Sequence, residues 1–149
     1  MRHKFSLAYR VRVRWAEVDR QGIVFNGHYL SYFDIGVTEY WRAIGLRYPD
    51  DLVGQGSDLY AVRAVVEYHR SAEFDDLIDV CARVVRIGRS SLRFEMAVLR
   101  GEECLASGEL VYVNADPATR RSAPVPESLR ALIRGYERTA PEEAEQGER

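Results

Sequence analysis

The chain has 149 residues, a net charge of −2, 46% hydrophobic and 30% charged residues. That is one domain with enough apolar material for a core, and no bulk charge to draw nucleic acid. No apolar run approaches the roughly 18 residues of a membrane span, and Met1-Arg2-His3-Lys4-Phe5 lacks the apolar stretch of a secretion signal, so a cytoplasmic location is expected.

Residues 7–15 alternate: Leu7, Tyr9, Val11, Val13 and Trp15 share one face, Arg10, Arg12 and Arg14 the other. This is the pattern of a half-buried strand. Residues 16–26 read as loop, with Asp19 and Gly22 in turn spacing. A helix is predicted over 27–45, because Tyr29, Phe33, Gly36, Val37, Tyr40, Trp41 and Ile44 recur at three- and four-residue steps and Gly45 stands where a helix stops. Leu30, Tyr32 and Ile35 widen its apolar surface beyond one stripe, which predicts a helix enclosed on several sides. Gly36 costs about 1 kcal/mol relative to Ala in a helix, and its expected return is close approach to another backbone. Residues 46–58 are loop.

Strand-like runs follow at about 59–70, 76–87, 90–100 and 103–114, with turns at Arg70–Asp75, Gly88-Arg89 and Gly101-Glu102. Read as consecutive hairpins, they form an antiparallel sheet. Pro126 starts a short amphipathic helix carrying Leu129, Leu132, Ile133 and Tyr136. The domain is expected to span 1–140, leaving 141–149 as an acidic, disordered tail. Cys81 and Cys104 lie in strands, without a CxxC pair or a nearby His. They read as buried free thiols, so no metal site is expected. Nothing but the sheet can cover the long helix. The fold class is therefore α+β, a curved five-stranded antiparallel sheet wrapped around one central helix. A single sheet of this kind leaves a long edge open, which favours a homo-oligomer.

Three blocks, in this order and spacing, resemble the hotdog-fold acyl-CoA thioesterases of the 4-hydroxybenzoyl-CoA thioesterase type. They are Trp15–Gly45, then Tyr68-His69-Arg70-Ser71-Ala72-Glu73-Phe74-Asp75-Asp76, then Ile87-Gly88-Arg89-Ser90-Ser91. The resemblance implies hydrolysis of an acyl-CoA, or an acyl carrier protein thioester, to acid and thiol. It implies no cofactor beyond the coenzyme A of the substrate, and a homodimer or dimer of dimers with the site between subunits. Asp19 matches the family's catalytic aspartate, a nucleophile or a general base towards water; read alone, it is a turn residue. Asn26 and Gly27 match the family's helix start, whose amides, that of position 26 foremost and whatever its side chain, are implied to polarise the thioester oxygen, and Asn26 also reads as a plain N-cap.

Glu17 sits where relatives are often acidic and is a candidate substrate contact, or else a solvated charge or a partner for a neighbouring Arg. Phe25, Tyr29 and Phe33, with Trp15 and Tyr60, offer aromatic surface for an aryl or medium acyl group, and would equally serve a plain core. Arg86 and Arg89, with Arg120 and Arg121, are candidate ligands for the phosphates of coenzyme A, and Ser90 and Ser91 for the pantetheine path. Two departures stand out: Val37 where relatives often carry Arg, and Asn26 where many carry His. A hotdog dehydratase would need a His at the helix start paired with a helix carboxylate, for which His28 and Glu39 are the available pair. A non-catalytic acyl-thioester binder is the other alternative.

Overall fold

The computed structural model describes residues 1–144. Strand β1 (Leu7–Arg12) leads through a 3-10 turn at Trp15–Glu17 to helix α1 (His28–Ile44) and a short helix α2 (Asp50–Val53). Strands β2 (Asp58–Tyr68), β3 (Leu77–Ile87), β4 (Ser91–Arg100) and β5 (Glu103–Ala115) follow, then helix α3 (Glu127–Tyr136) and a two-residue strand β6 (Glu142–Glu143).

The expected long helix forms within one residue of its predicted limits. Gly45 closes it in the left-handed conformation, φ +84°, donating its N–H back to Arg42. Its apolar stripe, Tyr29, Tyr32, Phe33, Val37, Tyr40, Trp41 and Ile44, is buried against the sheet, at about 1.5–3 kcal/mol per side chain. Gly36 faces β3 and β4. A Cβ there would stand 2.8 Å from a Val80 methyl and 3.0 Å from the Met96 methyl, so the close approach is to sheet side chains rather than to a backbone. The helix is not enclosed by its own chain: Leu30, Ser31, Asp34 and Thr38 are exposed along the side away from the sheet.

The strand order is β1-β3-β4-β5-β2. The β3–β4 and β4–β5 hairpins form as predicted, but β2 does not pair with β3. It pairs with β5, Tyr60 opposite Val113 and Tyr68 opposite Ala106, and residues 69–76 carry the chain across to the far side of the sheet. Both neighbours of β3 are already taken, by β1 and β4. Two further expectations are corrected. β1 ends at Arg12 because the chain turns at Trp15–Glu17; Val13 is buried, but Tyr9 is exposed and Trp15 is 71% exposed, stacked on Phe74 at 3.8 Å. The segment from Pro141 is not wholly a free tail. β1 covers β3 only to Ala82, and β6 takes the vacant edge beside Arg86 and Ile87. Arg86 pairs with Glu142 at 2.6 Å, and Glu143 meets Arg134 at 2.7 Å and Arg130 at 3.2 Å. Residues 145–149 of the expected tail lie outside the described residues.

Candidate active site

Residues 13–27 are folded by short-range bonds. The Glu17 carboxylate turns back to accept the Arg14 N–H at 2.9 Å and the Arg14 Nε–H at 3.0 Å, and the Tyr32 hydroxyl donates to it at 3.0 Å. Burial pushes the Glu17 carboxyl up, but these donors outweigh it and hold the group below the usual carboxylate range. Two residues on, the chain reverses: Asp19 N–H donates to the Ile23 carbonyl at 2.9 Å and Gly22 N–H to the Asp19 carbonyl at 3.0 Å. One oxygen of Asp19, Oδ1, accepts the Gln21 N–H at 2.7 Å, an Asx turn. Among the described residues, Asp19 Oδ2 has no hydrogen-bond partner. Ile23 bridges to Glu73, and Val24 N–H donates to the Ala72 carbonyl at 2.9 Å, which pins the segment against the 72–73 connection.

The helix start follows. Asn26 does not cap it; Gly27 is the N-cap residue and no side chain satisfies the first turn. Phe25 C=O accepts His28 N–H at 2.9 Å, and Asn26 C=O accepts Tyr29 N–H at 3.3 Å and the Tyr68 hydroxyl at 3.0 Å. Among the described residues, the N–H groups of Asn26 and Gly27 meet no acceptor. Unpaired amides at a helix N-terminus carry its partial positive charge.

Asp19 and Asn26 line one open cleft of about 310 Å³ together with Ile23, Tyr29, Tyr68 and His69. Tyr29 forms part of its floor: the ring is buried, its hydroxyl accepts the Ala72 N–H at 3.1 Å, and burial raises its pKa. A half-buried carboxylate and the free Asn26 amide beside one cleft, with the free Gly27 amide next in the chain, are groups able to attack a carbonyl carbon while its oxygen becomes negative.

Other candidates lie elsewhere. Glu17 is spent on Arg14 and Tyr32 and does not line the cleft. Phe33 is fully buried in the core. Phe25 is half exposed with its ring edge-on to His28 at 6.0 Å. Arg86 is held by Glu142, Arg89 is exposed, and Ser90 and Ser91 sit at the β3–β4 turn. That turn is beside the start of β2, where Tyr60 and Ser91 both pair with Val113, whereas the cleft is at the end of β2. From Tyr60 to Tyr68 is eight strand steps of about 3.3 Å, roughly 26 Å, so one protomer does not bring them together. Arg120 and Arg121 belong to a turn near that same distant end, and Arg120 lies beside Tyr60 and Val62. His28 and Glu39 are also apart, eleven residues or about 16 Å along the axis, with Glu39 held by Arg42 at 2.5 Å. No three His, Cys, Asp or Glu side chains among the described residues converge as a metal site. No helix is long and apolar enough to cross a membrane. Sequence reasoning assigned no role to Tyr68 or His69; their contact with the cleft depends on the end of β2 meeting the start of α1, which no local pattern announces.

Residues 13–133 match the family model of the thioesterase-like superfamily. The acyl-CoA thioesterase YbgC of Haemophilus influenzae is 23% identical over 128 residues, 86% of this chain and 94% of its own. The 1,4-dihydroxy-2-naphthoyl-CoA hydrolase of Synechococcus elongatus is 21% identical over 118 residues, 78% and 87% of the two chains. A thioesterase of Thermus thermophilus, solved with coenzyme A and Zn, is 35% identical and superposes with a TM-score of 0.78 over 90% of this chain and 96% of that one.

Proposed function

We propose that this chain, which belongs to the thioesterase-like superfamily, hydrolyses acyl-CoA to free acid and coenzyme A with Asp19 as nucleophile or as general base towards water. The observation that carries the reading is the cleft that Asp19 and Asn26 share. The thioester carbonyl sits with its carbon towards the free Asp19 oxygen and its oxygen towards the Asn26 and Gly27 amides. Each such donor, aimed at a developing oxyanion, contributes about 3 kcal/mol. A thiolate leaves readily, so this pair of groups suffices without a further cofactor. An acyl carrier protein thioester presents the same pantetheine linkage and is the second substrate to test.

The open edge of β2 supports a dimer as the working unit. Tyr60, Val62 and Tyr68 are exposed along it, and an apolar edge of this length recruits another strand. Antiparallel β2–β2 pairing about a two-fold axis sets the start of one β2 beside the end of the other. The Arg89–Ser91 turn of a second copy then comes towards this cleft and adds anion ligands to Arg70, which already lines it.

The experiment is thiol release from a panel of aryl, short and long acyl-CoAs, followed with a chromogenic disulfide. Asp19→Asn is expected to lose about 100-fold or more in kcat while still binding coenzyme A. Unchanged turnover in that variant rules out the assignment.

A further inference from the structure

We propose that Tyr68 is a positioning residue that acts on the thioester through the peptide group joining Asn26 to Gly27, an inference that rests on the active-site reading above. The Tyr68 hydroxyl donates to the Asn26 carbonyl at 3.0 Å, across 42 residues of sequence. In a planar trans peptide the carbonyl and the N–H point in opposite directions. Holding the Asn26 oxygen therefore aims the Gly27 N–H.

The two peptide groups at the helix start are secured differently. The one joining Phe25 to Asn26 is held from within the turn, by His28 N–H at 2.9 Å. The one joining Asn26 to Gly27 has only a long bond from Tyr29 N–H, 3.3 Å, inside its own segment. Its better anchor is the phenol from the sheet. A donor on the carbonyl also polarises the amide and strengthens its N–H as a donor in turn.

Tyr68 is itself well placed to be an anchor. It ends β2, and the next two N–H groups, His69 and Arg70, both donate to Leu105 C=O at 2.8 and 3.0 Å. Its ring stands edge-on to Tyr29 at 5.3 Å and 82°. The Tyr29 hydroxyl is tied in turn to Ala72 N–H, and the Ala72 carbonyl to Val24 N–H. The two walls of the cleft are thus joined at both ends, and the Tyr68 hydroxyl is the joint that touches the amide chemistry.

Tyr68→Phe keeps the ring and its contact with Tyr29 and removes only the hydroxyl. We expect kcat to fall about tenfold, part of the 100-fold or greater loss that follows removal of a whole oxyanion donor, with KM and melting temperature little changed. Infrared spectra of a bound ketone analogue of the thioester supply the second readout. The carbonyl stretch moves to lower frequency on binding to the wild type, and moves less in Tyr68→Phe. An unchanged kcat alongside an inactive Asp19→Asn overturns the role of Tyr68 and leaves the active site standing. A lower kcat with an unaltered carbonyl stretch and a lower melting temperature makes Tyr68 merely structural and also overturns it. Wild-type turnover in Asp19→Asn removes the reading underneath, and this inference with it.

Discussion

Replacing Glu17 tests whether the loop bearing Asp19 is held from inside. The Glu17 side chain is 8% exposed and accepts from Arg14 N–H, Arg14 Nε and the hydroxyl of Tyr32, itself only 1% exposed. In Glu17→Ala the Tyr32 hydroxyl is left buried with no other partner, at about 1–3 kcal/mol. Loss of the Arg14 bonds adds less, because that guanidinium is 75% exposed and its ion pair is screened by solvent. The expected total is about 2–3 kcal/mol. For a chain of this length each kcal/mol moves the melting temperature by about 2–4 °C, so the shift is about 5–10 °C at fixed protein concentration.

Glu17→Gln keeps an oxygen for Tyr32 and for Arg14 N–H and loses only the ionic part, so it costs about 1 kcal/mol. Because the folded state holds this carboxyl below its ordinary 4.5, its contribution is present above that value and lost as the pH falls through the folded value. The gap between wild type and Glu17→Gln therefore closes in acid. Differential scanning calorimetry measures all of this. If Glu17→Ala melts within 1 °C of wild type and instead raises KM, Glu17 is a substrate ligand and the reasoning from burial is wrong.

Glu137 carries the opposite sign. Its carboxyl receives the Tyr40 hydroxyl at 2.6 Å and Val84 N–H at 2.9 Å, and burial raises its pKa above 4.5. Its contribution is full below the unfolded value and is lost as the pH rises through the folded one. Melting curves of Glu137→Gln against pH are expected to lack that decline, and a decline as steep as in wild type refutes it. For the β2 edge, light scattering is expected to give a multiple of the 17.1 kDa chain mass for the wild type and a shift towards a single chain for Val62→Asp. A wild-type mass of one chain sinks the edge pairing.

Much of this protein was determined within short windows of sequence. The limits of α1, the stop at Gly45, the turns at Gly88 and Gly101 and the reversal at Asp19 all follow from side-chain period and turn chemistry, which act over a few residues. That Asp19 and Asn26 stand beside one cleft follows for the same reason: both lie in one continuous segment. Which strand β2 pairs with was not legible, because an apolar alternating run suits many neighbours and the choice is made by competition for edges across the whole sheet. The same holds for the Tyr68 hydroxyl on Asn26, for Glu17 turning inward to Tyr32, and for β6 claiming the end of β3. Each needs two segments brought together by packing that neither encodes alone, so only the tertiary structure decided them.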